Sequence, residues 1–243
     1  MLNKLGKLLK YESRFYFRIL PPIYLIIILL AVILRFQEIQ SRHSFMPEKF
    51  LLIVLLGAIT IAMFVITIIL VIQRYTDNFM KDSGSLMFSL PVTVWALLTS
   101  KVIAALCMIL FGFISIIIST AILSMGTGIR VESAVWEIFL NNIKDDPNKS
   151  ILYAAAALSG LLEQICLIYM VITISYILPR FRILAAFVMY FFIMFLTEQI
   201  LFKFMEENTA NPMSLISIIS SLIFAAIFFF TTGFLLKRSY NLE

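Results

Sequence analysis

Glu163 is the residue whose type and setting most suggest chemistry, because it is an acid in the middle of the apolar run AAAALSGLLEQICL, with Gln164 beside it. A carboxyl at mid-bilayer costs a few kcal/mol on insertion scales, so it should face a protein interface or a wet cavity. Ser159 and Gly160 precede it by four and three residues, which places all three on one side of a helix. Together with the small run Ala154–Ala157 they permit close helix approach. Glu163, Ser159 and Gly160 are therefore candidates for lining a translocation path or a dimer seam. The alternative is a Glu163 that is protonated and hydrogen-bonded within its own bundle. Glu198, near the outer end of the next apolar run, can snorkel to the interface.

The remaining reactive types point away from catalysis. His43 is the only histidine and falls in a short polar loop. An intramembrane serine nucleophile would therefore lack a nearby base. No His, Cys, Asp or Glu residues recur at metal-ligand spacing, so no metal site is expected. Cys107 and Cys166 both fall inside apolar runs and read as buried small side chains rather than a disulfide framework. Gly126 and Gly128 run into Ile129 and Arg130, without the lysine of a phosphate-binding loop. This chain is expected to be no enzyme and to bind no cofactor.

The elements that carry these residues follow from composition. The chain is 62% hydrophobic and 14% charged, with mean hydropathy +1.02, whereas soluble domains run near 25% charged. Six apolar runs separate at hydrophilic breaks, over 19–34, 50–72, 102–125, 151–178, 183–201 and 214–236. Most are long enough for a hydrocarbon core of about 30 Å at about 1.5 Å per residue. They lack the apolar–polar alternation of a membrane barrel. The expected fold is all-α and integral to the membrane, with six transmembrane helices.

The net charge of +5 raises a nucleic-acid reading, which fails once the charges are placed. Of the 19 Lys and Arg, twelve fall on one side if six spans alternate: Lys4, Lys7, Lys10, Arg14, Arg18, Arg74, Lys81, Lys101, Arg180, Arg182, Lys237 and Arg238. Seven fall on the other: Arg35, Arg42, Lys49, Arg130, Lys144, Lys149 and Lys203. Cytoplasmic loops are enriched in Lys and Arg, so both termini are expected inside a plasma membrane. The acids Glu132, Glu137, Asp145, Asp146, Glu206 and Glu207 lean outward.

Residues 1–18 carry their cations at spacings of three and four, with Leu2, Leu5, Leu9, Tyr16 and, just beyond, Leu20 on another side. That pattern predicts an amphipathic helix in the membrane interface. Pro21-Pro22 then opens the first span through an angled entry. That span ends in Leu34-Arg35 without a small-x-small cleavage site, so it is expected to stay. The transmembrane domain is read over 19–236 and a cytoplasmic tail over 237–243. Within 126–150, Val131, Val135, Ile138 and Phe139 have helical spacing beside Trp136, which predicts an outer amphipathic loop ending in a turn at Asp145-Asp146-Pro147-Asn148. The layout reads as one membrane domain, without an internal repeat.

The segment 73–101 is longer than a connection between neighbouring spans requires, which is about 4–6 residues. The second run is expected to continue as helix through Arg74, Tyr75 and Phe79, and Asp82-Ser83-Gly84 to break it. Ser85–Leu90 offers one turn with Leu86, Met87 and Phe88 outward. Pro91 ends that turn and Thr93 caps the next helix. Such a break–helix–break beside a membrane presents a small apolar knob to a soluble partner.

At this segment the sequence resembles the ABC-2-type permeases, the membrane subunits of ABC transporters. GSLMFSLPVTVWALLTSK matches their cytoplasmic loop at Gly84, Leu90, Pro91, Val92, Thr93, Leu98, Ser100 and Lys101. LLKYESRFYFR resembles their N-terminal arm, with Glu12 at the acidic position between Lys10 and Arg14. Val94-Trp95 departs from the pattern, since relatives often carry a charge there. The resemblance implies a coupling helix that seats in a separate cytoplasmic ATPase, with Asp82, Gly84, Leu86, Phe88, Leu90 and Pro91 as its coupling residues. It also implies a second permease copy or paralogue, with ATP and Mg held by the partner ATPase. Among small permeases the layout looks most like exporters of amphipathic peptides. The competing expectations are a non-transporting immunity or scaffold protein and a secondary transporter. A secondary transporter should carry charged or unwound residues in several spans.

Overall fold

The computed structural model describes residues 2–40, 47–80, 93–124, 147–177, 181–207 and 213–239. Six α-helices account for nearly all of these: α1 Leu2–Gln40, α2 Pro47–Phe79, α3 Val94–Ser124, α4 Pro147–Ile177, α5 Arg182–Glu207 and α6 Met213–Ser239. No strand occurs among the described residues. All six helices contain a stretch long and apolar enough to cross a membrane. The chain therefore reads as a multi-pass helical membrane protein.

The helices are longer than the apolar runs inside them. At about 1.5 Å per residue, the 33 residues of α2 reach well beyond a hydrocarbon core of about 30 Å. α1 is one helix of 39 residues that continues through Pro21 and Pro22. The arm over 1–18 and the first span are thus continuous, with no break at the prolines. Each proline removes an N–H that would bond four residues back, so the carbonyls of Phe17 and Arg18 lack ladder donors. Water or neighbouring groups can satisfy such carbonyls where the helix leaves the bilayer.

Helix starts follow local chemistry. α4 begins at Pro147, where a missing N–H costs nothing. Residues 147–150, read from sequence as the end of the outer loop, are therefore its first turn. α3 begins directly after Thr93, whose carbonyl accepts from Ala96 N–H at 3.0 Å and Leu97 N–H at 3.2 Å. The cap position expected from sequence is occupied by the expected residue.

Contacts divide the chain into two compact units. The first holds α1 from Lys10, α2 up to Leu70 and α3 from Cys107. Tyr24 lies in its interior and donates its phenol to the Met108 carbonyl at 3.0 Å. Gly112 lies close to this packing: a Cβ there would stand 3.3 Å from the Met63 methyl and 3.6 Å from the Tyr24 hydroxyl. Edge-on pairs Phe17–Phe111 and Phe64–Phe113 have centroids at 5.7 and 5.4 Å, within the favourable range for aromatic packing. Thr67 and Ser119 donate to carbonyls four residues back at 2.8 Å, so these buried hydroxyls carry no unmet donor.

The second unit holds α2 from Val71, α3 up to Leu106 and α4, α5 and α6, with the first residues of α1. α4 is the most enclosed helix, with 56% of its apolar window buried, whereas α5 has 6%. α5 touches α6 and exposes an apolar surface rich in phenylalanine, including Phe187, Phe191, Phe192 and Phe195. Both cysteines are free; Cys166 is buried but Cys107 is exposed. The sequence reading of Cys107 as buried is corrected accordingly. An apolar helical run does not reveal which of its sides meets protein and which meets lipid.

Candidate functional site

The candidate docking segment begins and ends in helix, and both ends are held by side chains of the second unit. On the α2 side, Tyr75 and Phe79 occur at i and i+4 and are wholly buried. The Tyr75 ring stacks on Tyr169 of α4 at 4.2 Å with the planes 12° apart. Its hydroxyl lies 2.6 Å from that of Thr173. Thr173 gives its own proton to the Tyr169 carbonyl at 2.8 Å, so Tyr75 is the donor and Thr173 the acceptor. Tyr169 and Thr173 are themselves one turn apart on α4, which brings both partners to the same face.

On the α3 side, Lys101 is 3% exposed. Its ammonium lies over the Phe79 ring, 5.1 Å from the centroid, close enough for the ring face to attract the cation. The Tyr169 hydroxyl is directed at the Lys101 carbonyl at 3.5 Å. Lys101 therefore links the start of α3 to the end of α2, and Tyr169 links both to α4. Ser100 beside it is buried and donates to the Leu97 carbonyl at 2.8 Å. These two residues form the Ser-Lys pair of the sequence motif.

Trp95 supplies the second anchor of α3. Its indole packs against Phe229 and Phe230 of α6, with centroids 5.7 and 5.5 Å away. Gly233 lies directly beneath: a Cβ at that position would stand 2.3 to 2.8 Å from three indole carbons. Only a glycine allows the ring to lie this close to the helix.

Tyr75→Phe keeps the stack and loses the bond to Thr173, at a cost of about 0.6 kcal/mol, the average for side-chain hydrogen bonds in a membrane protein. Tyr75→Ala removes the ring as well and costs about 3 kcal/mol or more. Unfolding midpoints of the purified variants should differ in that order, and equal shifts would deny the ring its anchoring role.

Glu163 is 5% exposed and its carboxyl is hydrogen-bonded to Ser221 of α6. Glu198 of α5 is near enough to act on it electrostatically. Next to it, Gln164 accepts from the Tyr190 hydroxyl of α5 through Oε1 at 2.8 Å. The polar centre of α4 is thus tied to both later helices. Ser159 is buried and donates to the Ala156 carbonyl at 2.9 Å. Gly160 has no heavy atom within 4 Å of a built Cβ, so it is not a point of close helix contact inside this chain. Small size permits such an approach but requires a neighbouring helix at that position.

Of the arm residues, Glu12 is 4% exposed and sits in the interior, while Lys10 and Arg14 face outward. Asp82, Gly84, Leu86, Phe88, Leu90 and Pro91 lie outside the described residues, as does most of the outer loop. No three of His, Cys, Asp and Glu gather among the described residues.

Sequence reasoning missed the Tyr75–Tyr169–Thr173 stack and the seat of Trp95 on Gly233. The available signal was a tyrosine and threonine one turn apart in a long apolar run, and a glycine in the phenylalanine-rich stretch FFFTTGF of α6. Neither pattern specifies its partner without the fold. Comparison with protein-family models, with curated proteins and with solved structures finds no match to this chain.

Proposed function

We propose that this chain is the permease subunit of a transporter driven by a separate ATPase, docked through the segment between α2 and α3. One observation carries the reading. The segment resembling a coupling helix is flanked by two helix ends that are both anchored, by the Tyr75–Tyr169 stack and Lys101–Phe79 contact on one side and by Trp95 on α6 on the other. A push that reaches these helix ends is passed to α4 and α6, on which they are seated. Where the permeases it resembles often carry a charge, this chain has Val94-Trp95, and Trp95 gives α3 an apolar seat on α6. In this reading both termini face the cytoplasm of a plasma membrane, and the pathway forms with a second permease chain. The resemblance to small permeases that export amphipathic peptides makes such a peptide the proposed cargo.

The purified chain should hydrolyse no ATP alone, and hydrolysis should appear when a soluble ATPase subunit copurifies with it. Turnover by the chain alone would sink the proposal, and failure to capture any ATPase would favour an immunity or scaffold role. Topology is a separate expected result. Cysteines placed at Ser44 and Asn148 should react with an impermeant maleimide in intact cells, and one at Ser83 only after permeabilisation. Labelling at Ser83 in intact cells would invert the assignment.

A further inference from the structure

An apolar groove of about 430 Å³ lies between α4 and α6, walled by Met170, Ile174, Phe230, Thr231, Phe234 and Leu235. Its one hydroxyl is turned inward to the helix: Thr231 donates to the Ile227 and Phe228 carbonyls at 2.9 Å, and so shows the groove its methyl. The α6 wall has a register that continues into charge. Phe230 and Thr231 are followed seven residues later by Lys237 and Arg238, and Phe234 by three and four. Residues at these spacings share one helix side, and four residues rise about 6 Å. Both cations occupy the last turn of α6 and are exposed. An apolar trough thus ends, on its own face, in two adjacent positive charges.

We propose that the groove holds one acyl chain of an anionic glycerophospholipid, whose phosphate is held by Lys237 and Arg238. An acyl chain needs an apolar bed without polar partners, which is what the lining offers. A headgroup phosphate is the anion that lies at the end of such a chain, at the membrane surface where α6 emerges. Basic positions at the ends of membrane helices attract anionic lipid by this electrostatic route. The proposal rests on the membrane reading of α4 and α6 and is independent of ATPase docking.

Trp95 is a built-in reporter, because it packs against Phe230 of the groove wall. With Trp136→Phe removing the other tryptophan, full-length chain in bilayers of brominated phosphatidylglycerol or brominated phosphatidylcholine gives a relative affinity from quenching. The expected preference for phosphatidylglycerol is on the order of tenfold. It should fall to parity in Lys237→Ala/Arg238→Ala, and also when Ile174→Phe fills the trough. Thr231→Leu replaces Ile174→Phe if that variant unfolds earlier than the parent in phosphatidylcholine. Equal quenching by both lipids in the parent would overturn the proposal. Preference lost with the cations but kept in the filled groove would also overturn it, since the lipid would then be only an electrostatic surface neighbour.

Discussion

Replacing Leu86 and Phe88 together by Asp should abolish capture of the ATPase subunit while leaving insertion into the membrane intact. Both residues lie in the apolar stretch between Gly84 and Pro91, and in the proposed complex they enter an apolar groove of the partner. Burying an unpaired charge costs several kcal/mol, and each 1.4 kcal/mol is a factor of about ten in binding. Two buried aspartates should therefore weaken docking by more than about a hundredfold. Leu86→Met with Phe88→Leu, which keeps the surface apolar, should still capture the partner. Pull-down from detergent extract with matched permease levels reads the difference. Undiminished capture by the aspartate variant would place the dock elsewhere on the chain.

The second large effect is expected at Gly233. A methyl there would stand 2.3 to 2.8 Å from three carbons of the Trp95 ring, a distance at which the indole or the helix must move. Alanine favours helix over glycine by about 1 kcal/mol in water, so the sign depends on which contribution dominates. Overpacking of this kind typically costs about 1–3 kcal/mol, and displacing the indole also loses its contacts with Phe229 and Phe230. Gly233→Ala should lower the unfolding midpoint by several degrees and shift Trp95 emission. Trp95→Leu should cost less on its own and should remove most of the penalty of Gly233→Ala, which a double-mutant cycle measures. Additive effects would mean that the two residues do not meet.

The span count, the helical class and the extension of α2 past Arg74 were legible in the sequence, because each depends on local hydropathy and on helix-breaking residues. Thr93 was legible for the same reason, being a cap residue directly before a helix. Burial direction was not. Cys107 and Cys166 occupy equally apolar runs, yet one is exposed and the other buried, since lipid and protein interior ask for the same residue types. Gly160 and Gly233 present the same ambiguity: the first meets nothing and the second meets an indole. Glu163 was singled out by its charge alone, but its partner Ser221 stands 58 residues later on another helix and carries no signal of its own. The continuity of α1 through two prolines was also not legible, because proline statistics come from water-exposed helices in which a break costs little.

The contrast between α4, with over half of its apolar window enclosed, and α5, with almost none, sets how freely each can drift. On α5 an outward phenylalanine can become leucine, isoleucine or valine with little loss of packing, since what it meets is fluid. On α4 a change of one methylene at Leu167 or Tyr169 is felt by rigid neighbours on several sides. Lineages of this protein should therefore keep the side-chain volumes of α4 nearly fixed and let α5 change almost at random within the apolar alphabet. An α5 that instead holds its phenylalanines in place would reveal a constraint from outside the single chain.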